Sequence, residues 1–213
     1  MFRKGRVSFF EKLAEHRYLE TERLCLRPVT LDDAKAMFDY ASDEETVRYS
    51  FPANQTIEET RQVIASVYLA SPLGRWGIVL KATGDFIGTL DLHHIQLDLG
   101  RAELGYCLHK HHWGRGYATE AVKAVLVLCF EALGMNCLIA KHDKDNPASG
   151  RVMAKSGMCF SHEEPYAKRD HLDSNRFVTV LHYYLTKEDY DQQKSLASAN
   201  KPDRYLNNSF KNS

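Results

Sequence analysis

The sequence predicts one α/β domain, in which a mixed and mostly antiparallel central sheet is flanked by helices. Two β-rich runs, at 75–82 and 85–95, meet at the turn signal TGD, which is typical of an antiparallel hairpin. In the second half of the chain strands and helices alternate, and such strand–helix–strand units imply some parallel pairing. The length of 213 residues suits one domain, alone or with extensions.

The first third of the chain predicts a strand and two helices. The run ERLCLRPV at 22–29 alternates leucines with charged residues, as a half-buried strand does. The pattern T-x-x-D at 30–33 is a capping box that opens a helix to about residue 40. A second box, T-x-x-E at 56–59, opens an amphipathic helix to about residue 69.

The second half predicts two further helices and four further strands. Apolar residues recur at helical spacing from Ala118 to Ala132. Asn146 is a good N-cap for the next helix and Pro147 suits its first position. The predicted strands are RAELGYCLH at 101–109, GMNCLIAKH at 134–142, MCFSHEE at 158–164 and RFVTVLHYYL at 176–185.

The two ends of the chain differ from the middle. We expect a domain at 19–194, an N-terminal extension at 1–18 and a polar C-terminal tail at 195–213, where no apolar periodicity is visible.

The composition indicates which classes of partner and which cellular compartment to expect. Lys+Arg and Asp+Glu both number 28, and this balance weighs against a nucleic-acid partner. No run approaches the roughly 20 apolar residues of a membrane span, and the N-terminus carries no signal-peptide pattern. The five cysteines form no C-x-x-C pair, which predicts free thiols in a reducing compartment. We therefore expect a cytoplasmic protein without a membrane partner.

The stretch HHWGRGYATE at 111–120 is the first functional signal. It lies between a predicted strand and a predicted helix, and Gly114 and Gly116 let a ligand approach the backbone without interference from a Cβ. The first N–H groups of a helix have no internal acceptor, so this place suits an anion such as phosphate, although a plain tight turn fits the spacing as well. Arg115 adds a charged donor.

Two common phosphate motifs are excluded by inspection. A P-loop requires Gly-Lys-Ser/Thr, which the chain lacks. A dinucleotide fingerprint requires a third glycine, and Thr119 stands in its place.

The stretches ELGYCLHKHHWGRGYATEAV and NPASGRVMAKSGM together resemble the GNAT superfamily of acyl-CoA-dependent N-acetyltransferases. The chain is most similar to the branch that acetylates the N-termini of ribosomal proteins, and the resemblance extends from about Leu19 to Tyr190. It implies a GNAT-like fold and makes 19–194 an N-acetyltransferase domain. It also implies acetyl-CoA as co-substrate.

The resemblance implies where acetyl-CoA binds. Its pyrophosphate is expected on the main-chain N–H groups of the glycine loop, and its pantetheine beside the strand at 106–108. Trp113 stands where the superfamily usually has Gln or Arg, so the loop depends more on main-chain donors. The implied cofactor-binding residues are Tyr106, Cys107, Leu108, Gly114, Arg115, Gly116, Tyr117, Ala118, Thr119 and Asn146. Lys155 is read as a solvated residue or a phosphate contact.

Two residues are catalytic candidates. Amide formation from acetyl-CoA requires a deprotonated amine and a proton for the leaving thiolate. Glu103 is the candidate base, because the resemblance puts an acidic residue of similar role there, with an exposed strand carboxylate or a buried ion pair as the alternative. Met153 stands at the position of the tyrosine that often protonates the thiolate elsewhere in the superfamily. In the resembling branch a serine three residues after the asparagine takes this role, which makes Ser149 the candidate acid, with backbone capping as the alternative.

The acceptor amine is open at this stage. The resemblance favours a protein N-terminal α-amine, a small amine such as a polyamine or aminoglycoside is the alternative, and a non-catalytic acyl-CoA-binding module is the third reading. We expect His93 and His94 to point to opposite faces of their strand, so that one of them can help bind the acceptor. The carboxylates Glu163, Glu164 and Asp170 could form an acidic funnel for a polycation.

A metal site is not expected, since the histidines at 109–112 have no supporting Cys or carboxylate at ligand spacing. Either a monomer or a homodimer is compatible with the sequence.

Overall fold

A computed structural model describes residues 4–199, and it confirms the predicted α/β class. Eight strands form one sheet within these residues, and helices pack against both of its faces. The helices are α1 Lys4–Glu15, α2 Ala34–Ala41, α3 Glu44–Val47, α4 Ile57–Val63, α5 Tyr117–Val127, α6 Pro147–Lys155 and α7 Lys187–Ala199. The strands are β1 Leu19–Glu20, β2 Leu24–Arg27, β3 Arg75–Leu80, β4 Phe86–Gln96, β5 Arg101–Leu108, β6 Cys137–Asp143, β7 Cys159–Arg169 and β8 Phe177–Thr186.

The sheet has the strand order β1-β2-β3-β4-β5-β6-β8-β7. All neighbouring pairs in it are antiparallel except β5 and β6, which run parallel. The hairpin β3–β4 and the parallel pair were both expected from the sequence. A parallel pair needs a long connection, and α5 supplies it by crossing over one face of the sheet.

Side chains alternate between two hydrophobic clusters on the opposite faces of the sheet. Ile78 and Leu108 belong to the larger cluster, with α5, whereas their neighbours Val79 and Cys107 belong to the smaller one, with α2. This alternation follows from the two-residue period of a strand. Both α4 and α5 continue as wider π-type turns, at Ile64–Leu69 and Leu128–Ala132, and these turns account for the full predicted helix lengths.

The ends of the chain are more ordered than the sequence suggested. Phe9 and Leu13 of α1 are buried in the larger cluster, so the segment expected to be an extension packs on the domain. Helix α7 reaches Ala199, so 195–199 of the expected tail are helical. Tyr190 stacks this helix on Phe130, with ring centroids 4.9 Å apart, and polar contacts such as Lys194 to Glu131 at 2.8 Å add to the attachment. Residues 1–3 and 200–213 lie outside the described residues.

No helix within residues 4–199 is long and apolar enough to cross a membrane. All five cysteines are free thiols.

Candidate active site

The parallel strands β5 and β6 create a gap in the sheet. They are paired only where Arg101–Glu103 lies beside Cys137–Ile139, and beyond these residues they separate. Each strand is followed by a helix, and both helices, α5 and α6, begin at the open end of the gap.

Two clefts occupy this gap. The glycine cleft, of about 470 Å³, lies between the starts of α5 and α6, and the carboxylate cleft, of about 410 Å³, lies beside it. The glycine cleft is lined by Trp113, Gly114, Gly116, Tyr117, Ala118, Thr119, Pro147, Ala148, Arg151, Val152 and Lys155, among others. The carboxylate cleft is lined by Asp91, His93, Glu103, Lys141, His142, Asp143 and Lys168, among others. Both are lined by Tyr49, Ser50, Tyr106, Cys107, Asn146 and Ser149, which we call the junction.

Two glycines give the loop before α5 its shape. Gly114 and Gly116 have φ values of 74° and 82°, a left-handed conformation that side-chain-bearing residues rarely adopt. Gly116 is the N-cap of α5 and has no side chain to accept the first-turn N–H groups. These N–H groups, at Tyr117 to Thr119, therefore remain available at the edge of the glycine cleft, where the helix dipole also favours an anion.

Two side chains brace this loop. The indole Nε1 of Trp113 donates to the carbonyl oxygen of Leu108 at 2.6 Å, which ties the loop to the end of β5. The guanidinium of Arg23 donates to the carbonyl of Arg115 at 3.0 Å and to Glu120 at 2.6 Å. It also lies over the ring of Tyr117, 4.5 Å from the centroid. The carboxylate of Glu120, in the first turn of α5, thus helps to anchor the loop through Arg23.

The side chain of Arg115 is exposed and is not among those lining the glycine cleft, and its backbone carbonyl accepts from Arg23. The cations that line this cleft are Arg151 and Lys155 of α6. Arg151 was missed in the sequence, where a charged residue inside a helix predicts only a solvated face.

The open edge of β5 offers backbone groups to the gap. The N–H of His109 donates to the carbonyl of Ile87, so Cys107, two residues earlier, also pairs with β4. The backbone groups of Tyr106 and Leu108 then face the gap, and the bond from Trp113 to the carbonyl of Leu108 agrees with this orientation. The N–H and C=O of Cys107 are turned to β4.

The start of α6 lies across the gap from β5. Asn146 is the N-cap, as predicted, and its side-chain oxygen accepts the N–H of Ser149 at 3.3 Å. The phenol of Tyr106 donates to the carbonyl of Ser149 at 3.1 Å, and burial raises the pKa of this phenol to about 12. Met153 is buried one turn further along α6 and also lines the carboxylate cleft.

Glu103 is the centre of the carboxylate cleft. It receives the ammonium of Lys141 at 2.9 Å and ring nitrogens of His93 and His94 at 3.4 and 3.3 Å. Burial opposes its ionisation, but these hydrogen bonds outweigh burial and lower its pKa to about 2. Glu103 is thus a permanent anion at neutral pH.

His93 is held from both sides. Its Nδ1 lies 3.2 Å from Asp91 and its Nε2 faces Glu103, and these two carboxylates raise its pKa to about 9. Gly105 lies below, where a Cβ would come within 3.1 Å of both the Asp91 carboxylate and the His93 ring. The absent side chain at Gly105 is what lets Asp91 and His93 share this space.

The expectation that His93 and His94 point to opposite faces is wrong. A β-bulge interrupts the ladder after His93, and His94 adopts a left-handed φ of 47°, so both rings reach Glu103. His93 lines the carboxylate cleft, while His94 is 77% exposed at its rim. Among the described residues these three side chains are the group whose spacing could hold a metal ion, with Lys141 already beside the carboxylate.

Comparison with known proteins identifies this architecture. The family model described as "Acetyltransferase (GNAT) domain" matches residues 23–159, which contain the gap, the glycine loop and α6. The chain belongs to the GNAT acetyltransferase family.

Curated relatives of this acetyltransferase agree. It is 32% identical over 181 residues to p20 of Bacillus licheniformis, named an uncharacterized N-acetyltransferase, and these residues are 81% of the chain and 97% of p20. It is 38% identical over 143 residues to YoaA of Bacillus subtilis (strain 168), which carries the same kind of name; this match covers 65% of the chain and 81% of YoaA. The enzyme is thus an N-acetyltransferase.

Solved structures share the fold. A Vibrio cholerae protein, provisionally assigned as a ribosomal-protein-serine acetyltransferase, aligns with a TM-score of 0.66 at 21% identity over 79% of this chain and 97% of its own. The microcin C7 self-immunity acetyltransferase MccE, solved with acetyl-CoA and AMP, aligns with a TM-score of 0.68 at 16% identity over 78% and 93%.

The acidic residues expected near the acceptor side of the acetyltransferase are each bonded to a neighbouring side chain. Glu163 binds Lys144 at 2.7 Å, Glu164 binds His182 at 2.8 Å, and Asp170 binds Arg48 at 2.8 Å. They do not form the acidic funnel that was considered, because each carboxylate is already engaged.

Proposed function

We propose that this enzyme transfers the acetyl group of acetyl-CoA to a protein N-terminal α-amine. The observation that carries the proposal is the pair of clefts meeting at one junction, one suited to an anionic nucleotide and the other containing a permanently charged carboxylate. The alternative of a non-catalytic acyl-CoA-binding module is tested by the experiments below.

The glycine cleft fits the nucleotide end of acetyl-CoA. Its first-turn N–H groups at Tyr117 to Thr119 suit the pyrophosphate, with Arg151 and Lys155 on the opposite wall. The open backbone edge at Tyr106 and Leu108 suits the amide-bearing pantetheine. When bound, acetyl-CoA supplies a thioester carbonyl to the junction. MccE, which shares the fold, is known with acetyl-CoA bound, and this supports the assignment.

The carboxylate cleft fits the amine. Glu103 attracts an ammonium group to the junction and offers an exit for its proton through water. Lys141 and His93 hold this carboxylate in one orientation, so its charge is aimed before the acceptor arrives. The candidate proton donor on the other side of the junction is a hydroxyl near the start of α6, where Ser149 lies.

The pKa of Glu103 bears on the kind of amine. A carboxylate whose pKa is about 2 is a weak base. An α-amine has a pKa near 8, so about a tenth of it is neutral at pH 7, whereas an alkylammonium with a pKa near 10.4 is almost wholly charged. The site therefore favours α-amines over polyamines, which require a stronger base.

The charges of the carboxylate cleft also favour an α-amine over a polyamine. Glu103 and Asp91 are paired with cations, and Lys141 and Lys168 also line the cleft. A polycationic acceptor would meet these lysines and find no uncompensated cluster of carboxylates. A single terminal ammonium followed by a neutral peptide suits this balance better.

The first prediction concerns the glycine loop. Gly116→Glu should abolish CoA binding measured by calorimetry, because a side chain and a negative charge would stand where the pyrophosphate belongs. Gly134→Glu is the matched control. Gly134 also has a positive φ, of 68°, but lies in the turn before β6, outside both clefts, and it should keep CoA affinity. Undiminished CoA binding by Gly116→Glu would contradict the loop assignment.

The acceptor is tested by a thiol-release screen over N-terminal peptides, free amino-acid amides, polyamines and aminoglycosides. We expect turnover with peptides and little with polyamines. Tight CoA binding without turnover on any amine would instead favour a non-catalytic module.

A further inference from the structure

We propose that Tyr106, on strand β5, protonates the leaving sulfur during acetyl transfer, the role for which the sequence offered Ser149. This inference rests on the proposed function, because it requires the thioester to lie at the junction of the two clefts. The amino-acid sequence suggested only a backbone contact with the cofactor at Tyr106, and this inference gives its side chain a catalytic role.

The reacting atoms restrict the choice of donor. The acetyl donor enters from one cleft and the amine from the other, so the sulfur and the attacking nitrogen meet where both clefts are lined by the same residues. Four junction residues carry a hydroxyl: Tyr49, Ser50, Tyr106 and Ser149. Ser50 is exposed, and its side chain is directed at the thiol of Cys107 on β5.

Tyr106 is the one of these hydroxyls that spans the gap. Its ring starts on β5, and its phenol reaches the first turn of α6, where it donates to the carbonyl of Ser149 at 3.1 Å. That contact fixes the phenol next to the Ser149 position without engaging the Ser149 hydroxyl. The side chain is held by burial and by a main-chain acceptor, so it is already oriented before the substrates bind.

Ser149 is engaged in capping. Its N–H donates to the side-chain oxygen of Asn146 at 3.3 Å, and the amide nitrogen of Asn146 lies 3.4 Å from its hydroxyl. Ser149 thus supports the cap at Asn146 through its N–H and accepts a hydrogen bond on its hydroxyl oxygen. Met153, one turn further along α6, has a buried thioether side chain, which has no proton to donate.

Acidity also separates the two hydroxyls. A thiolate with an ordinary pKa of about 8.5 takes a proton more readily from a phenol, ordinarily near 10, than from an aliphatic alcohol, which does not titrate in water. Burial raises the pKa of Tyr106 to about 12, which makes this phenol a weaker acid than a free one but keeps it protonated across the working pH range.

The step balances as follows. The neutral amine nitrogen attacks the thioester carbonyl carbon, and the carbon–sulfur bond then breaks with its electron pair on sulfur. The phenol of Tyr106 gives its proton to that sulfur, which leaves as the free thiol. The surplus proton of the amine passes by way of Glu103 and water to the solvent, and water returns a proton to Tyr106.

The test places 3-fluorotyrosine at position 106 and follows its ¹⁹F resonance while ligands are added. CoA and desulfo-CoA, in which hydrogen replaces the thiol, bind through the same nucleotide contacts. We expect CoA to move the resonance and desulfo-CoA to move it much less, because only CoA brings a sulfur to the phenol. The matched control is the same label at Tyr183, which lines neither cleft and should respond equally to both ligands.

Kinetics provide the second measurement. Tyr106→Phe keeps the ring and should lower kcat about 100-fold, the usual size of a general-acid contribution, with the dissociation constant of CoA little changed. Ser149→Ala should lower kcat less than 10-fold.

The outcomes separate the inference from the proposed function. Equal ¹⁹F responses to CoA and desulfo-CoA overturn the role of Tyr106 and leave the acetyltransferase assignment standing. A large kcat loss in Ser149→Ala with wild-type kcat in Tyr106→Phe returns the role to Ser149. An absence of any CoA binding overturns both.

Discussion

At the scale of single residues, Glu103 shows how neighbours change the meaning of a side chain. A lone glutamate in the pattern ELGY is a candidate base, and its partners could not be deduced from spacing. The structure surrounds it with Lys141, His93 and His94, and its pKa falls to about 2. Its strength as a base is therefore low, while its charge is permanent, which suits the attraction of an ammonium group.

The role of Glu103 is tested by Glu103→Gln. The variant keeps the shape of the side chain but removes the carboxylate that pairs with Lys141, so the cleft would attract an ammonium acceptor less. We expect kcat/KM for the amine to fall about 100-fold while CoA affinity stays near wild type. Glu164→Gln is the control, because Glu164 pairs with His182 away from the cleft lining. Equal activity of both variants would make Glu103 structural.

His93 gives a pH-dependent prediction about stability. Its pKa rises from 6.5 to about 9 in the folded protein, chiefly through Asp91 and then Glu103. A raised folded pKa stabilises fully below pH 6.5, and this contribution is lost as pH rises through 9. Wild type should therefore exceed His93→Gln in free energy of unfolding by on the order of 1 kcal/mol at pH 6, because part of the side chain stays hydrated.

Denaturant unfolding at pH 6 and at pH 9.5 measures this difference. The gap between wild type and His93→Gln should shrink at pH 9.5, and a constant gap would show that the ion pairs of His93 do not stabilise the fold.

At the scale of elements, most of the strands and helices could be predicted from the sequence. The seven predicted strands are β2 to β8, and the cap at Asn146 is where the sequence placed it. These signals are local, since alternation and capping depend on a few adjacent residues. Helix α7 was not recognised because one aromatic contact, Tyr190 on Phe130, leaves no apolar periodicity in the sequence. The orientation of His94 was not recognised because a bulge changes the alternation by one position.

The loop before α5 shows an element that depends on a distant part of the chain. The glycine spacing predicted the loop, but Arg23, which braces it, lies more than 90 positions earlier in the chain. Nothing local to Arg23, which lies in the bend before β2, distinguishes it from other arginines of the chain. The contact follows from β2 lying near the start of α5, which is a property of the assembled sheet.

Arg23→Gln tests this brace. It removes the bonds to Glu120 and to the carbonyl of Arg115 and also the contact with Tyr117, so the loop loses its anchor. We expect the dissociation constant of CoA to rise about 10-fold, which is the loss of one charge-assisted hydrogen bond. Arg17→Gln is the control, because Arg17 also lies over a tyrosine ring but touches no part of the loop. Calorimetry with CoA would refute the brace if both variants bound equally.

At the scale of the whole molecule, the site depends on a gap that no single segment encodes. Pairing of β5 and β6 stops after Glu103, and the two clefts exist because the strands then separate. The acceptor side of the gap is closed by parts of the chain that are far apart. Arg48, after α3, binds Asp170, at the end of β7, through two hydrogen bonds of 3.2 and 2.8 Å.

This ion pair connects two walls of the carboxylate cleft. Arg48 precedes Tyr49 and Ser50, which belong to the junction, and Asp170 follows the strand that carries Lys168 to the cleft. The carboxylate of Asp170 is almost fully buried, and the bonds from Arg48 hold its pKa well below the usual range. The pair therefore stays charged at neutral pH, and it connects the two walls.

Asp170→Asn should loosen this side of the site. An amide cannot form the paired charged bonds to Arg48, so the loop after α3 and the β7–β8 connection are free to move apart. We expect KM for the amine to rise severalfold while the dissociation constant of CoA is unchanged, because the glycine cleft lies on the other side of the junction. Asp191→Asn, which breaks an exposed pair with Lys187 on α7, is the matched control and should leave both constants unchanged. A parallel loss of CoA affinity in Asp170→Asn would mean that the ion pair supports the whole gap and not the acceptor wall alone.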